Sequence, residues 1–292
     1  MIHSFSVIGP GRLGQSLIRA LDRAGFQVAA VVRRNDGNST TFEHDLNPPL
    51  VSLADVAALS EVLFLTVPDE QISLVAERLQ VGSKHLVVHC SGACELSVLE
   101  PIVARGAQAA CFHPLQAFPA GSGHERFVGV HVGIEADGAA FELLSSVARR
   151  LQAAPFSLAG VDRASYHAAA VFASNYLVAV QAAATRVWEL AGLPAQTAWP
   201  ALQPLAAGAL SAICERSLAE GLTGPVARGD VATVERHLRA LSEVPALAAL
   251  YQQLGAQLLR LGKPDDIHKQ RSLQRLFALP VPGAIADQDA GT

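Results

Sequence analysis

The sequence lacks most of what would mark an extracellular, nucleic-acid-binding or metal-dependent protein. Its four cysteines, Cys90, Cys94, Cys111 and Cys214, have neither CxxC spacing nor disulfide density, which points to a reducing cytoplasm and away from a zinc site. Charged residues make up only 16% of the chain, the net charge is −4, and the arginines are dispersed, so no basic stripe for nucleic acid exists. There is no HExxH, no GxSxG elbow around Ser91 and no Walker lysine after the first glycines, which disfavours metal and hydrolase chemistry. No charged segment followed by a long apolar core opens the chain, so no signal peptide is expected. The most membrane-like stretch, residues 168–184, is interrupted by Ser174, Asn175 and Gln181 and reads better as a helix buried between subunits or domains.

What is present is apolar and ordered by period. Half of the 292 residues are hydrophobic, more than one core usually holds, so two domains are expected. Up to residue 158 strands alternate with helices: 3–8, 27–32, 62–67, 85–89, 109–112, 129–134 and a short 156–158 read as strands. That alternation predicts an α/β fold, a doubly wound parallel sheet. Residues 159–280 read as helices alone, at 162–191, 196–218, 230–241, 243–261 and 265–277, and residues 281–292 as a frayed tail.

The most informative segment is Gly9-Pro10-Gly11-Arg12-Leu13-Gly14, placed between a predicted strand and a predicted helix. In that setting Gly9 allows the tight turn, Gly11 lets the backbone approach a pyrophosphate, and Gly14 lets helix and strand pack closely. The helix N-terminus offers its free amides to the phosphates. About 20 residues on, where an NAD-binding chain carries Asp or Glu for the ribose, stand Arg33 and Arg34, which suit the 2′-phosphate of NADP. Strand alternation lets one of the two face it directly.

Ligands of such sheets lie outside the carboxyl ends of the strands, so the later strand ends face the same crevice. Val67-Pro68 would wall the nucleotide; Ser91 would bond the nicotinamide ribose or substrate, or cap the helix starting near Glu95. His113-Pro114 ends another strand, and an imidazole fixed there can move a proton while hydride passes to or from a nicotinamide. Nearby Gln116 would contact substrate. His85, His124, His131, His237 and His268 read as structural. On the first long helix His167, Val171 and Asn175 share one face and, with Ser174, would line a pocket. In the loop 221–230, Asp230 caps the next helix, while Thr223 and Arg228 could grip a substrate carboxylate.

The glycine motif, His113-Pro114-Leu115-Gln116, Tyr166-His167 through Ser174-Asn175-Tyr176, and Thr223-Gly224-Pro225 through Arg228-Gly229-Asp230 together resemble, over nearly the whole chain, the family that joins a Rossmann-like half to domain of unknown function 2520. Its wider clan has helical domains like that of 6-phosphogluconate dehydrogenase. The resemblance implies an NADP-dependent oxidoreductase and, as in the clan, a homodimer. His113-Pro114 is similar to the catalytic pair of prephenate dehydrogenases. Asn175 stands where β-hydroxyacid dehydrogenases carry an anchoring Asn, but Val171 replaces their lysine, leaving His113 or His167 to move the proton. The expectation is hydride transfer between NADP(H) and a small oxo or hydroxy acid bound between the domains. An imine reductase resembling pyrroline-5-carboxylate reductase, or a non-catalytic NADP-responsive protein, are the alternatives. No metal, membrane or nucleic acid is expected.

Overall fold

A computed structural model describes residues 4–33, 48–262 and 264–278. Seven short strands, β1 (Ser4–Ile8), β2 (Gln27–Val32), β3 (Val62–Leu65), β4 (Leu86–His89), β5 (Gln108–Pro114), β6 (His131–Glu135) and β7 (Ala154–Ser157), form one sheet in the order β2-β1-β3-β4-β5-β6-β7. Helices α1 (Arg12–Arg23), α2 (Asp69–Arg78), α3 (Glu100–Val103) and α4 (Gly138–Arg150) connect most of them. The inner strands are apolar on both faces because each face is covered. Phe5, Val7, Phe64 and Phe112 pack on one side with Leu17 and Leu21 of α1, while Ile8, Leu63 and Leu65 pack on the other with Ile72 of α2.

The expected all-parallel sheet needs one correction. From β2 to β5 all neighbours are parallel, but β6 runs antiparallel to β5, with β7 parallel to β6. The cause lies in residues 115–130, which hold only a 3₁₀ turn, His124–Phe127, and no crossover helix, so the chain returns instead of crossing over. That loop lies on α1: Ser16 Oγ donates to the Gly123 carbonyl at 2.6 Å and Arg19 to that of Ser122 at 2.7 Å.

The predicted helix 162–191 is two helices, α5 (Arg163–Ala173) and α6 (Asn175–Leu190), because the backbone at Ser174 leaves helical geometry. By length and composition the stretch Arg163–Leu190 could cross a membrane, and its most apolar window has no buried residue. Beyond it lie α7 (Ala195–Glu215), the short α8 (Pro225–Arg228) inside the expected loop, α9 (Val231–Ala240), α10 (Pro245–Leu261) and α11 (Ile267–Ala278). The expected tail lies outside the described residues.

Two compact units divide between Asn175 and Tyr176, later than the expected boundary at 158/159. The reason is local. Asp162 caps α5, accepting from the amides of Ala164 and Ser165, and buried Arg163 pairs with Glu135 at the end of β6, so α5 is fastened to the sheet. The second unit has its own small core of Val226, Val234, Leu259, Leu273 and Phe277, with Phe277 lying against Gly255.

Candidate active site

The glycine turn is a closed clasp with one open side. Gly9, at φ +89°, takes a backbone form that other residues rarely adopt, and a Cβ there would stand 2.6 Å from Val67 Cγ1. Its amide donates to the Val32 carbonyl at 2.9 Å, and its carbonyl accepts from Thr66 Oγ1 at 2.6 Å. Gly14 is equally constrained, since a Cβ would meet Thr66 Oγ1 at 2.5 Å and the Gly9 carbonyl at 2.6 Å. Gly11 is different: its missing Cβ would have only the Gly9 carbonyl, 4.0 Å away, as a neighbour. Of the three glycines, the backbone is open to approach at Gly11. Gly11 also caps α1 with no side-chain cap and no acid in the first turn, so the leading amides of the helix, among them those of Arg12 and Leu13, have no intrahelical partner.

A cleft of about 840 Å³ opens from this clasp. Gly9 and Gly11 form its floor, Val67 and Pro68 one wall, and Arg33 stands at the end of β2. Arg34 lies outside the described residues. Leu13 packs partly into the core, so its contribution to the turn is its backbone.

Further along the same sheet edge, beyond this cleft, two side chains converge on Gly92. A Cβ on Gly92 would lie 2.7 Å from His113 Nε2 and 3.0 Å from His167 Nδ1, so both ring nitrogens face one small space above that glycine. The other nitrogen of His113, Nδ1, is bonded to the Tyr166 hydroxyl at 2.7 Å, with the rings edge to face at 5.4 Å. His167 Nδ1 is buried without a hydrogen-bond partner, a costly state that a ligand would relieve.

The electrostatics keep His113 neutral. Burial, then the neighbouring His167 and the Arg163 charge, lower His113 from 6.5 to about 4, with Asp69 opposing weakly. Below it, His89 is pushed down to about 3 by burial, Arg163 and His113, and its Nε2 also lacks a partner. Burial raises the Tyr166 phenol to about 12 and the Cys111 thiol to about 11. Near pH 7 His113 is therefore an uncharged imidazole, still carrying one N–H, beside a protonated phenol.

Of the residues expected at the site, the structure brings His113 and His167 together. Ser91 lies beside them, but its hydroxyl accepts from the Ala93 and Cys94 amides at 3.2 and 3.0 Å and braces the turn there, while the 3₁₀ helix Leu96–Leu99 has Glu95 at its N-cap and no side-chain cap. Gln116 is exposed and its Oε1 accepts from the Ala117 amide. Ser174 and Asn175 are exposed and bonded to each other at 2.8 Å; the break at Ser174 takes Asn175 off the His167 helix face. Thr223 and Arg228 are exposed in the helical unit, where Asp230 caps α9 as expected, accepting from Thr233. Sequence reasoning missed four residues. Thr66 and Tyr166 had signals, a hydroxyl at a strand end and a phenol beside His167; the Arg163–Glu135 pair had none, because it depends on the direction of β6.

Residues 2–114 match the model of a Rossmann-like domain and residues 130–258 that of a domain of unknown function, DUF2520, which takes in β6, α4 and β7 as well as helices. No curated protein sequence matches the chain. Among solved structures it is similar to a Bacteroides fragilis protein provisionally designated an NADP oxidoreductase, at 24% identity and a TM-score of 0.69 over 88% of this chain and 98% of that one. An imine reductase from Myxococcus stipitatus in complex with NADP⁺ shares 16% identity and a TM-score of 0.63 over 94% and 99%. A pyrroline-5-carboxylate reductase from Coxiella burnetii gives 16% and 0.59 over the same shares. The chain thus carries a Rossmann-like domain followed by a domain of unknown function 2520.

Proposed function

We propose that the protein is an NADP(H)-dependent oxidoreductase acting on a small polar substrate beside His113. The observation that carries this reading is the glycine clasp, open at Gly11, on the same sheet edge as a half-buried imidazole with one ring nitrogen held by Tyr166 and the other facing Gly92. The clasp fits a dinucleotide: the α1 amides and Gly11 would hold the pyrophosphate, the apolar wall of Leu50, Val67 and Val75 would take the adenine, and Arg33 the 2′-phosphate. Once bound, the nicotinamide supplies or accepts hydride. The structural relatives named for NADP chemistry support this cofactor.

The protein's own contribution is proton management. In the tautomer whose Nδ1–H donates to the Tyr166 oxygen, His113 Nε2 carries no hydrogen and would take the hydroxyl proton as hydride leaves the carbon of a hydroxy acid for NADP⁺. Arg228 is our candidate for the substrate carboxylate. The low affinity of His113 for protons also favours a second reading, imine reduction. An iminium already carries its proton, so hydride addition at carbon completes the amine with no acid from the protein, whereas ketone reduction needs a donor that neutral His113 does not supply. A copy of the same chain is our proposed partner, seated on the apolar helices: Phe172, Val178 and Leu205 are each about 70% exposed.

Two measurements test the reading. Calorimetry should find NADPH bound; absence of binding of either nicotinamide dinucleotide overturns it. NADPH oxidation and NADP⁺ reduction should then be followed against 2-oxo acids, hydroxy acids and cyclic imines. Turnover of cyclic imines alone selects the second reading, and binding with no turnover on the panel selects the non-catalytic alternative.

A further inference from the structure

The cleft that opens from the glycine clasp has a second cation that the strand-end pattern does not announce. Gln71, Val75 and Arg78 stand at i, i+4 and i+7 of α2, the spacing of one helix face, and all three line the cleft. Arg33 lines it from the end of β2. Neither guanidinium has an ion pair or side-chain hydrogen bond among the described residues, and no Asp or Glu is among the residues lining the cleft. Ser52 also lines it, but its hydroxyl already donates to Asp55 at 2.6 Å. A last-turn arginine is favourable for its helix wherever it points, which would explain Arg78 without a ligand. It does not explain why two guanidiniums without an ion pair among the described residues share one cavity whose described lining holds no carboxylate; an anionic ligand does.

We infer that Arg78 is a specificity residue for the cofactor, closing on the 2′-phosphate of the adenosine ribose opposite Arg33, so that the cleft selects the phosphorylated dinucleotide from two sides. This rests on the NADP reading and concerns its adenosine end alone. Among the described residues the lining offers no acceptor carboxylate of the kind the ribose hydroxyls of NAD require.

The test needs no turnover. Titration calorimetry with adenosine 2′,5′-bisphosphate and with 5′-AMP, on the wild type, R33A, R78A and R78K, reads the 2′-phosphate directly. Loss of a charge-assisted bond predicts that R78A binds the bisphosphate about tenfold or more weakly with 5′-AMP unchanged, and that R78K keeps part of the preference. Arg78 is exposed, and melting curves will show whether the variants keep the wild-type fold. A bisphosphate preference retained in R78A and lost in R33A overturns the role of Arg78 and leaves the NADP reading standing. Equal weakening of both nucleotides in R78A also overturns it, placing the side chain on the base. A wild type that takes up neither nucleotide, nor NADPH, removes the NADP reading and this inference together.

Discussion

At the scale of single residues, the site is held by contacts too tight to tolerate an added methyl. Gly92 is the sharpest case, because its missing Cβ would sit within 3 Å of nitrogens on both His113 and His167. The variant G92A should therefore turn the imidazoles out of place and reduce kcat at least as far as H113A. For H113A we expect a loss of about 10²–10⁴-fold in turnover, the usual contribution of a positioned acid or base, with the NADPH dissociation constant nearly unchanged. Steady-state kinetics beside calorimetry separates the two effects. Turnover that survives H113A would remove the imidazole from the chemistry. The glycine clasp was legible in the sequence because each of its glycines answers a steric demand that the motif encodes. The Tyr166–His113 contact was not, since it joins residues 53 apart whose meeting depends on where α5 lands on the sheet.

At the scale of elements, the same distinction decides what could be read. Strand positions and most helices followed from apolar period and turn residues. The reversal of β6 did not, because a missing crossover helix between residues 115 and 130 leaves a polar, glycine-containing stretch that looks like any loop. Nor did the break at Ser174: its hydroxyl donates back to the Ala170 carbonyl at 2.7 Å, a bond that bends helices but has no marked sequence signature. The fastening of α5 also hangs on that reversal, through Arg163 and Glu135. Removing the arginine leaves a half-buried carboxylate without its partner, so R163M should lower stability by about 2–4 kcal/mol. Denaturant titration measures this, and R163M/E135L should recover part of the loss. A loss in R163M within about 0.5 kcal/mol of zero would show that α5 is held by packing alone.

At the scale of the whole molecule, the buried histidines tie stability to pH. Both His89 and His113 bind protons far more weakly folded than at their ordinary value of 6.5, so the unfolded chain binds more protons wherever the pH lies between 6.5 and their folded values. Stability contributed by these rings is complete above about pH 7 and falls as the pH drops from 6.5 through 4 toward 3. Melting temperature should decline over that range, and H89N/H113N should flatten the decline. An unchanged slope would mean that other groups set the acid limit. The apolar helices make a second demand at this scale: sedimentation should find a dimer, and replacing Val178 and Leu205 by glutamate should yield monomers that remain folded.

The loop that reverses β6 does more than redirect a strand. It leaves β5 just past His113 and reaches over to accept hydrogen bonds from Ser16 and Arg19 on α1, the helix whose N-terminus forms the clasp. One strut therefore joins the strand that carries His113 to the helix that begins at Gly11. Its two anchoring carbonyls set the spacing between those ends within the first unit before any guest arrives.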